Sequence, residues 1–209
     1  MRRISTLVQE SVNDSINSRI KSSCPGGRKP DLQSPDPWTP NAALVNCYSG
    51  AHESVGWHSD QMTYLGPRAT IGSLSLGVAR EFRIRRVIPQ ELDTAGPSSK
   101  TAKSDEDLDA AGQISIHLPH NSLLIMHAGM QEEWKHSISP ATSIDPHPVS
   151  GNKRINITYR HYRADLHPRF TPTCKCGIAC VLRVVQRRKE NHGRFFWMCY
   201  AGNVPGKEG

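Results

Sequence analysis

The sequence predicts a mainly β protein of the α+β class, a double-stranded β-helix (jelly roll) with an N-terminal helix and a small C-terminal β module. Apolar and polar residues alternate in short segments between turn residues, which is typical of half-buried strands. The apolar residues of segment 4–20 instead recur every three or four positions, which predicts one amphipathic helix packed on the sheet. Strands are expected over 42–48, 70–76, 80–87, 114–117, 122–127 and 155–161.

Composition divides the chain into units. The protein has 209 residues, enough for one core and a small appended module. We expect an N-terminal helix and Pro-rich loop in residues 1–40 and a β core in 41–165. Within that core, segment 89–112 is rich in small and polar residues and is predicted to be a disordered insertion. A separate C-terminal module is expected over 170–209.

Charge and hydropathy limit the possible partners. The net charge is +7 and the pI about 9.3, which favours an anionic partner such as nucleic acid. The mean hydropathy is −0.53, and no stretch approaches the ~20 apolar residues of a membrane span. No apolar segment follows Met1, so we expect an intracellular protein, specifically a nuclear one. No membrane partner and no obligate protein partner are expected.

Three dispersed side chains indicate a metal site. His58 and Asp60 are two positions apart, so in an extended backbone they project to the same side. A third ligand then has to come from another strand, and His136 fits that role. Two imidazoles and one carboxylate are the donors that non-haem Fe(II) takes on one octahedral face, with the other positions open. A single His-x-Asp occurs by chance in many chains, so the hypothesis depends on the three residues together.

A second pattern follows His136. Arg154 and Arg160 are six positions apart and therefore face the same way in an unbroken strand, together with Asn156 and Thr158. A planar guanidinium is suited to bidentate capture of a carboxylate. This pattern alone also fits the exposed face of an ordinary strand. Beside an Fe(II) site, it indicates an oxo-acid co-substrate.

These residues resemble the AlkB-like family of Fe(II)- and 2-oxoglutarate-dependent dioxygenases over roughly 41–163. The resemblance implies that His58, Asp60 and His136 bind iron. It implies oxidation of N-alkyl groups on nucleobases of DNA that are flipped out of the helix, with release of formaldehyde. The family's substrate lid is expected before residue 42, where this sequence leaves little room for it. For 2-oxoglutarate, the resemblance implies that Arg154 binds the distal carboxylate, with Asn46, Tyr48 and Asn156 nearby and Arg160 near the other end.

The C-terminal segment carries a cysteine cluster and the tripeptide Gly193-Arg194-Phe195. Thiols around a short β segment predict a zinc-stapled hairpin, because so few residues cannot form a core alone. Disulfides are the competing explanation, which an intracellular setting disfavours. The segment resembles a GRF-type zinc finger, which implies that Cys174, Cys176 and Cys199 bind Zn(II).

Two further expectations concern this finger. Its fourth ligand is expected beyond Gly209, with His192 or Cys180 as the alternative. GRF fingers bind single-stranded nucleic acid, and basic and aromatic side chains supply charge and stacking surfaces for that. The candidates are Arg187, Arg188, Lys189, Arg194 and Phe196.

Two other functions stay open on sequence grounds. The chain could be a catalytically impaired relative that only binds nucleic acid. It could also oxygenate RNA or protein with the same iron centre. The intact donor set and both arginines argue against the first alternative.

Overall fold

The computed structural model describes residues 2–89 and 112–201 of the chain. Within these ranges there is one long helix, α1 (Arg2–Ser23), and a second, single-turn helix, α2 (Met130–Glu133). Three-residue 3-10 turns lie at Pro25–Gly27, Ala164–Leu166 and Lys189–Asn191. The strands are β1 (Ala42–Ser49), β2 (Val55–His58), β3 (Ile71–Gly77), β4 (Arg80–Arg86), β5 (Gln113–Leu118), β6 (Ser122–Met126), β7 (Trp134–Ile138), β8 (Lys153–Arg160), β9 (Cys180–Val184) and β10 (Phe195–Cys199).

Two four-stranded antiparallel sheets form the body of the molecule. Their strand orders are β1-β8-β3-β6 and β2-β7-β4-β5. A separate hairpin, β9–β10, forms the C-terminal module. Two facing antiparallel sheets of four strands are the arrangement of a jelly roll, so the predicted fold class is confirmed.

Helix α1 covers the outer face of the first sheet. Its residues Val8, Val12 and Ile16 are buried against Leu74 of β3 and Tyr159 of β8. Close approach is possible because β3 carries a glycine, Gly72, where a Cβ would lie 3.2 Å from a methyl of Val12. This is the amphipathic helix that the three-to-four spacing predicted.

The loop after α1 is fastened to the same layer. The Asn13 side chain donates to the Trp38 carbonyl at 2.8 Å and accepts from the Trp38 amide at 2.8 Å. The Trp38 indole N–H donates to the Thr70 carbonyl at 2.9 Å, directly before β3. These bonds satisfy buried polar groups at the edge of the helix–sheet core.

A second core lies between the sheets. Ile71 of β3 and Met126 of β6 meet Phe82 of β4 and Ile138 of β7. Each such side chain contributes ~1.5–3 kcal/mol by leaving water. This apolar layer fills one end of the space between the sheets and leaves the other end to polar side chains.

Strands β2 and β7 were not among the predicted strands. In β2, only four residues long, Gly56 precedes two ring-bearing residues, and in β7 the alternation is hidden because His136 and Ser137 are both buried. Of these residues, His58 and His136 line the candidate metal and co-substrate site described below. The predicted insertion over 89–112 lies outside the described residues except for its two ends. No helix in the described ranges is long and apolar enough to cross a membrane.

Candidate metal and co-substrate site

The structure brings together the three side chains predicted as iron ligands. Strands β2 and β7 pair antiparallel with His58 directly opposite His136, and the two ring centroids are 4.2 Å apart. Asp60 lies two residues beyond the end of β2. Its Oδ1 is 3.5 Å from His136 Nε2 and 3.9 Å from His58 Nε2. The three donor atoms all lie within 4.8 Å of one another.

The histidines differ in how their rings are held. His58 Nδ1–H donates to the Gly56 carbonyl at 2.7 Å, which leaves the lone pair of Nε2 directed at the site. Burial lowers the pKa of His58, and this favours the neutral imidazole that a metal needs. His136 is buried, and its Nδ1 has no hydrogen-bond partner in the described part of the chain.

Asp60 is positioned from both of its ends. Its backbone N–H donates to Gln131 Oε1 at 2.7 Å. Its Oδ2 accepts from Arg160 Nε at 3.0 Å and Nη2 at 2.5 Å, so Oδ1 is left for the histidines. Burial by itself would raise the pKa of Asp60, but the contact with His136 and the charge of Arg160 outweigh it and lower the pKa to about 2. The carboxylate is therefore ionised, as a metal ligand must be.

A cavity of about 270 Å³ lies next to these donors, and Arg154 is part of its lining. Arg154 is only 2% exposed, and its Nη2 donates to Ser75 Oγ at 2.9 Å. Its Nε and Nη1 are buried and have no acceptor among the described residues. A buried guanidinium needs a counter-charge, and the place of Arg154 in the lining of this cavity fits the carboxylate of a bound oxo-acid.

The other predicted co-substrate residues line the same cavity. Asn46 and Tyr48 come from β1, and Asn156 comes from β8 beside Arg154. Asn156 Nδ2 donates to Ser73 Oγ at 2.8 Å, which fixes its orientation. Burial raises the pKa of Tyr48, so the phenol keeps its proton and remains a hydrogen-bond donor.

The cysteines of the C-terminal module form a second donor cluster. The sulfurs of Cys174, Cys176 and Cys199 all lie within 4.8 Å of one another, with Cys176 and Cys199 3.5 Å apart. Two sulfurs on one tetrahedral zinc are about 3.8 Å apart for Zn–S bonds of ~2.3 Å, so the cluster fits zinc. Gly177, at φ +81°, closes the turn and donates to the Cys174 carbonyl at 2.9 Å. Cys180 and His192 lie outside this cluster.

The predicted nucleic-acid residues surround an open cleft on the same module, which we call the basic cleft. Its lining includes Arg187, Arg188 and Arg194, and its volume is about 720 Å³. Phe196 also lines it and is 43% exposed. Lys189 starts the adjoining 3-10 turn.

Sequence reasoning missed several residues that position the site. Gln131, 1% exposed, holds the backbone of Asp60. Arg80, 2% exposed, donates to the carbonyls of Gly50, Glu53 and Ser139, which ties the loop before β2 to β4 and the end of β7. Arg160 was assigned to the co-substrate, and its ion pair with Asp60 was not foreseen. The three-dimensional contacts identify these roles, since the pattern that singled out Arg160 does not indicate its contact with Asp60.

Comparison with known proteins agrees with this geometry. Residues 1–160 match the family model of the 2OG-Fe(II) oxygenase superfamily, and the chain belongs to that superfamily. Residues 172–205 match the GRF zinc finger. The cofactors are accordingly Fe(II) and 2-oxoglutarate, and the cysteine cluster fits Zn(II).

Curated relatives are similar to part of the chain. The DNA oxidative demethylase ALKBH2 of Arabidopsis thaliana is 33% identical over 125 residues, covering 57% of this chain and 37% of its own length. The alpha-ketoglutarate-dependent dioxygenase alkB homolog 3 of Homo sapiens is 33% identical over 132 residues, covering 63% and 39%. The chain therefore spans less than two fifths of the length of these relatives. A solved structure titled "The structure of OsALKBH1" has a TM-score of 0.49 at 19% identity and covers 78% of this chain and 64% of its own.

Proposed function

We propose that this protein is a dioxygenase that uses Fe(II) and 2-oxoglutarate to remove alkyl groups from damaged nucleobases of DNA, in the nucleus. One observation carries the proposal: three converging donors, His58, Asp60 and His136, line one cavity together with the buried arginine Arg154. Similarity to relatives named as a DNA oxidative demethylase and an alkB homologue supports the choice of substrate.

Each residue then has a defined task. His58, His136 and Asp60 hold the metal, and Arg160 keeps Asp60 turned toward it. Arg154 binds the distal carboxylate of 2-oxoglutarate, while Asn46 and Tyr48 hydrogen-bond the co-substrate. When bound, Fe(II) and 2-oxoglutarate react with O₂ and supply the oxidising power that hydroxylates a C–H bond of the alkyl group. The protein's own contribution is to position that bond and to keep the site ordered.

The direct test measures products. Protein supplied with Fe(II), ascorbate and 2-oxoglutarate is expected to release formaldehyde from a methylated DNA oligonucleotide and to restore the unmodified base. Matched methylated RNA and a methylated peptide distinguish the alternative substrates. Binding of DNA without consumption of 2-oxoglutarate would contradict the enzyme and support the alternative of a nucleic-acid-binding relative.

We further infer that the C-terminal module, with zinc held by Cys174, Cys176 and Cys199, binds single-stranded nucleic acid in the basic cleft. The guanidinium groups of this cleft suit phosphates, and the half-exposed ring of Phe196 suits base stacking. The neighbouring Lys189 adds positive charge at the edge of the cleft.

Replacing Arg188 by alanine is expected to weaken binding of single-stranded oligonucleotides of every sequence. One lost phosphate contact lowers the slope of log affinity against log salt concentration by ~0.7. Fluorescence anisotropy at several salt concentrations measures this slope. Arg28→Ala, at an exposed arginine outside the cleft, is the matched control. An unchanged slope in Arg188→Ala would remove the basic cleft as the binding surface.

A further inference from the structure

A large cavity separates the metal donors from the C-terminal module. Its volume is about 690 Å³. His58, Asp60 and Arg160 line it, and the same three residues line the co-substrate cavity, so the two spaces lie next to each other at the metal donors. Another part of its lining comes from the C-terminal module, which we call the finger, and consists of Ile178, Ala179, Cys180, Val181 and Tyr200.

The finger is hydrogen-bonded to the core next to the site. Gln186 Nε2 donates to Ser59 Oγ at 3.1 Å and to the Gln131 carbonyl at 2.9 Å. Gln131 in turn accepts from the backbone N–H of Asp60. One finger side chain is therefore bonded to the residue that positions a metal-ligand carboxylate, which fixes the wall at the mouth of the site.

The aromatic and apolar side chains that line this cavity suit a flat aromatic ring. Tyr64 and Tyr162 lie at its rim with ring centroids 5.5 Å apart, and both rings are more than a third exposed. Leu44 and Ile178 add apolar surface from the core and the finger. Stacking of a base on such rings is worth ~1–3 kcal/mol and tolerates any base.

One hydrogen bond joins the lining of the basic cleft to the lining of this cavity. Gln186 lines the basic cleft, while its amide bonds to Ser59, which lines the cavity. A nucleic-acid strand whose phosphates lie along Arg187 and Arg194 therefore lies next to Gln186, which is bonded to the lining of the cavity. The occupant that satisfies both features is an unpaired nucleobase still attached to its strand.

We propose that the finger forms the outer wall of the nucleobase pocket, with Ala179, Cys180 and Tyr200 facing the base that is presented to the metal. The inference rests on the proposed function and deepens it. The finger then has two tasks, because it holds the strand in the basic cleft and it shapes the pocket that selects the base.

Ala179→Trp tests the pocket, because it fills the cavity from the finger side and removes no polar group. The zinc-loaded, iron-free protein is irradiated with a single-stranded oligonucleotide that carries one 5-iodouracil, and the cross-linked peptides are mapped. We expect the wild type to cross-link at Tyr200 and Ala179→Trp to lose at least ~10-fold of that product, since blocking one stacked base costs more than ~1.4 kcal/mol. Val149→Trp, which adds the same ring at a side chain that is 91% exposed, should behave as wild type.

Measurements of turnover distinguish a failure of this inference from a failure of the proposed function. Formaldehyde release from a methylated oligonucleotide should fall with the cross-link in Ala179→Trp and stay at the wild-type level in Val149→Trp. Cross-linking at Tyr200 without any formaldehyde from the wild type would keep the pocket and reject the dealkylase. Wild-type protein that releases formaldehyde but cross-links only at core residues would reject the finger wall and keep the dealkylase. The mapping on wild type decides the matter even if the tryptophan variant fails to fold.

Discussion

The variant His58→Ala is expected to lose formaldehyde release from methylated DNA by at least ~1,000-fold. An iron centre lowers a reaction barrier by several kcal/mol, and the loss of one of three ligands forfeits that contribution. The structure supports the size of the effect, because Nε2 of His58 has a free lone pair and lies within 4.8 Å of both other donors. The measurement is the initial rate of formaldehyde formation at saturating Fe(II) and 2-oxoglutarate.

His52→Ala is the matched control for this variant, since His52 is exposed and lies outside the metal cluster. It should retain the wild-type rate. If His58→Ala kept more than a tenth of the wild-type rate with unchanged metal content, His58 would not be a ligand.

The second large effect is expected for Arg154→Met, which should raise the KM for 2-oxoglutarate ~100-fold. Removing one partner of a buried, hydrogen-bonded charge pair costs ~2–5 kcal/mol, and ~2.8 kcal/mol corresponds to that factor. Methionine fills much of the volume of the arginine stem, so the main loss is the guanidinium group in the lining of the cavity. The measurement is the rate of succinate formation against 2-oxoglutarate concentration.

Two comparison variants define what the Arg154 result means. Arg154→Lys keeps the charge but not the planar fork, so its KM should lie between those of the wild type and Arg154→Met. Arg86→Met removes an exposed arginine whose ion pair with Glu133 is worth ~0–1 kcal/mol, and it should leave the KM unchanged. Equal KM values in Arg154→Met and Arg86→Met would contradict the assignment of Arg154 to the co-substrate.

Local periodicity carried much of the fold prediction. In β8, Arg154, Asn156 and Thr158 are all buried on the face toward the cavity, while Tyr159 packs against helix α1. This separation of faces follows from the two-residue period of a strand and needs no knowledge of the partner strands. The helix over 4–20 was also predicted correctly, because its apolar residues follow the 3.6-residue period of a helix.

Most contacts between residues that are distant in the sequence could not be predicted from it. The pairing of His58 with His136 joins positions 78 apart in number, and it was foreseen from metal chemistry and resemblance and not from spacing. Strand β7 escaped prediction because buried polar residues interrupt its alternation. Gln131 and Gln186 show no pattern at all, since their roles arise from single hydrogen bonds between distant segments.

The central claim is that His58, Asp60 and His136 hold one Fe(II) beside the carboxylate site of Arg154. Anaerobic addition of Fe(II) and then 2-oxoglutarate tests it, because chelation of Fe(II) by a 2-oxo acid produces a charge-transfer absorption band in the visible range. We expect the wild type to show this band at one Fe(II) per chain and His136→Ala to lose it. A band of unchanged intensity and position in His136→Ala would contradict the account.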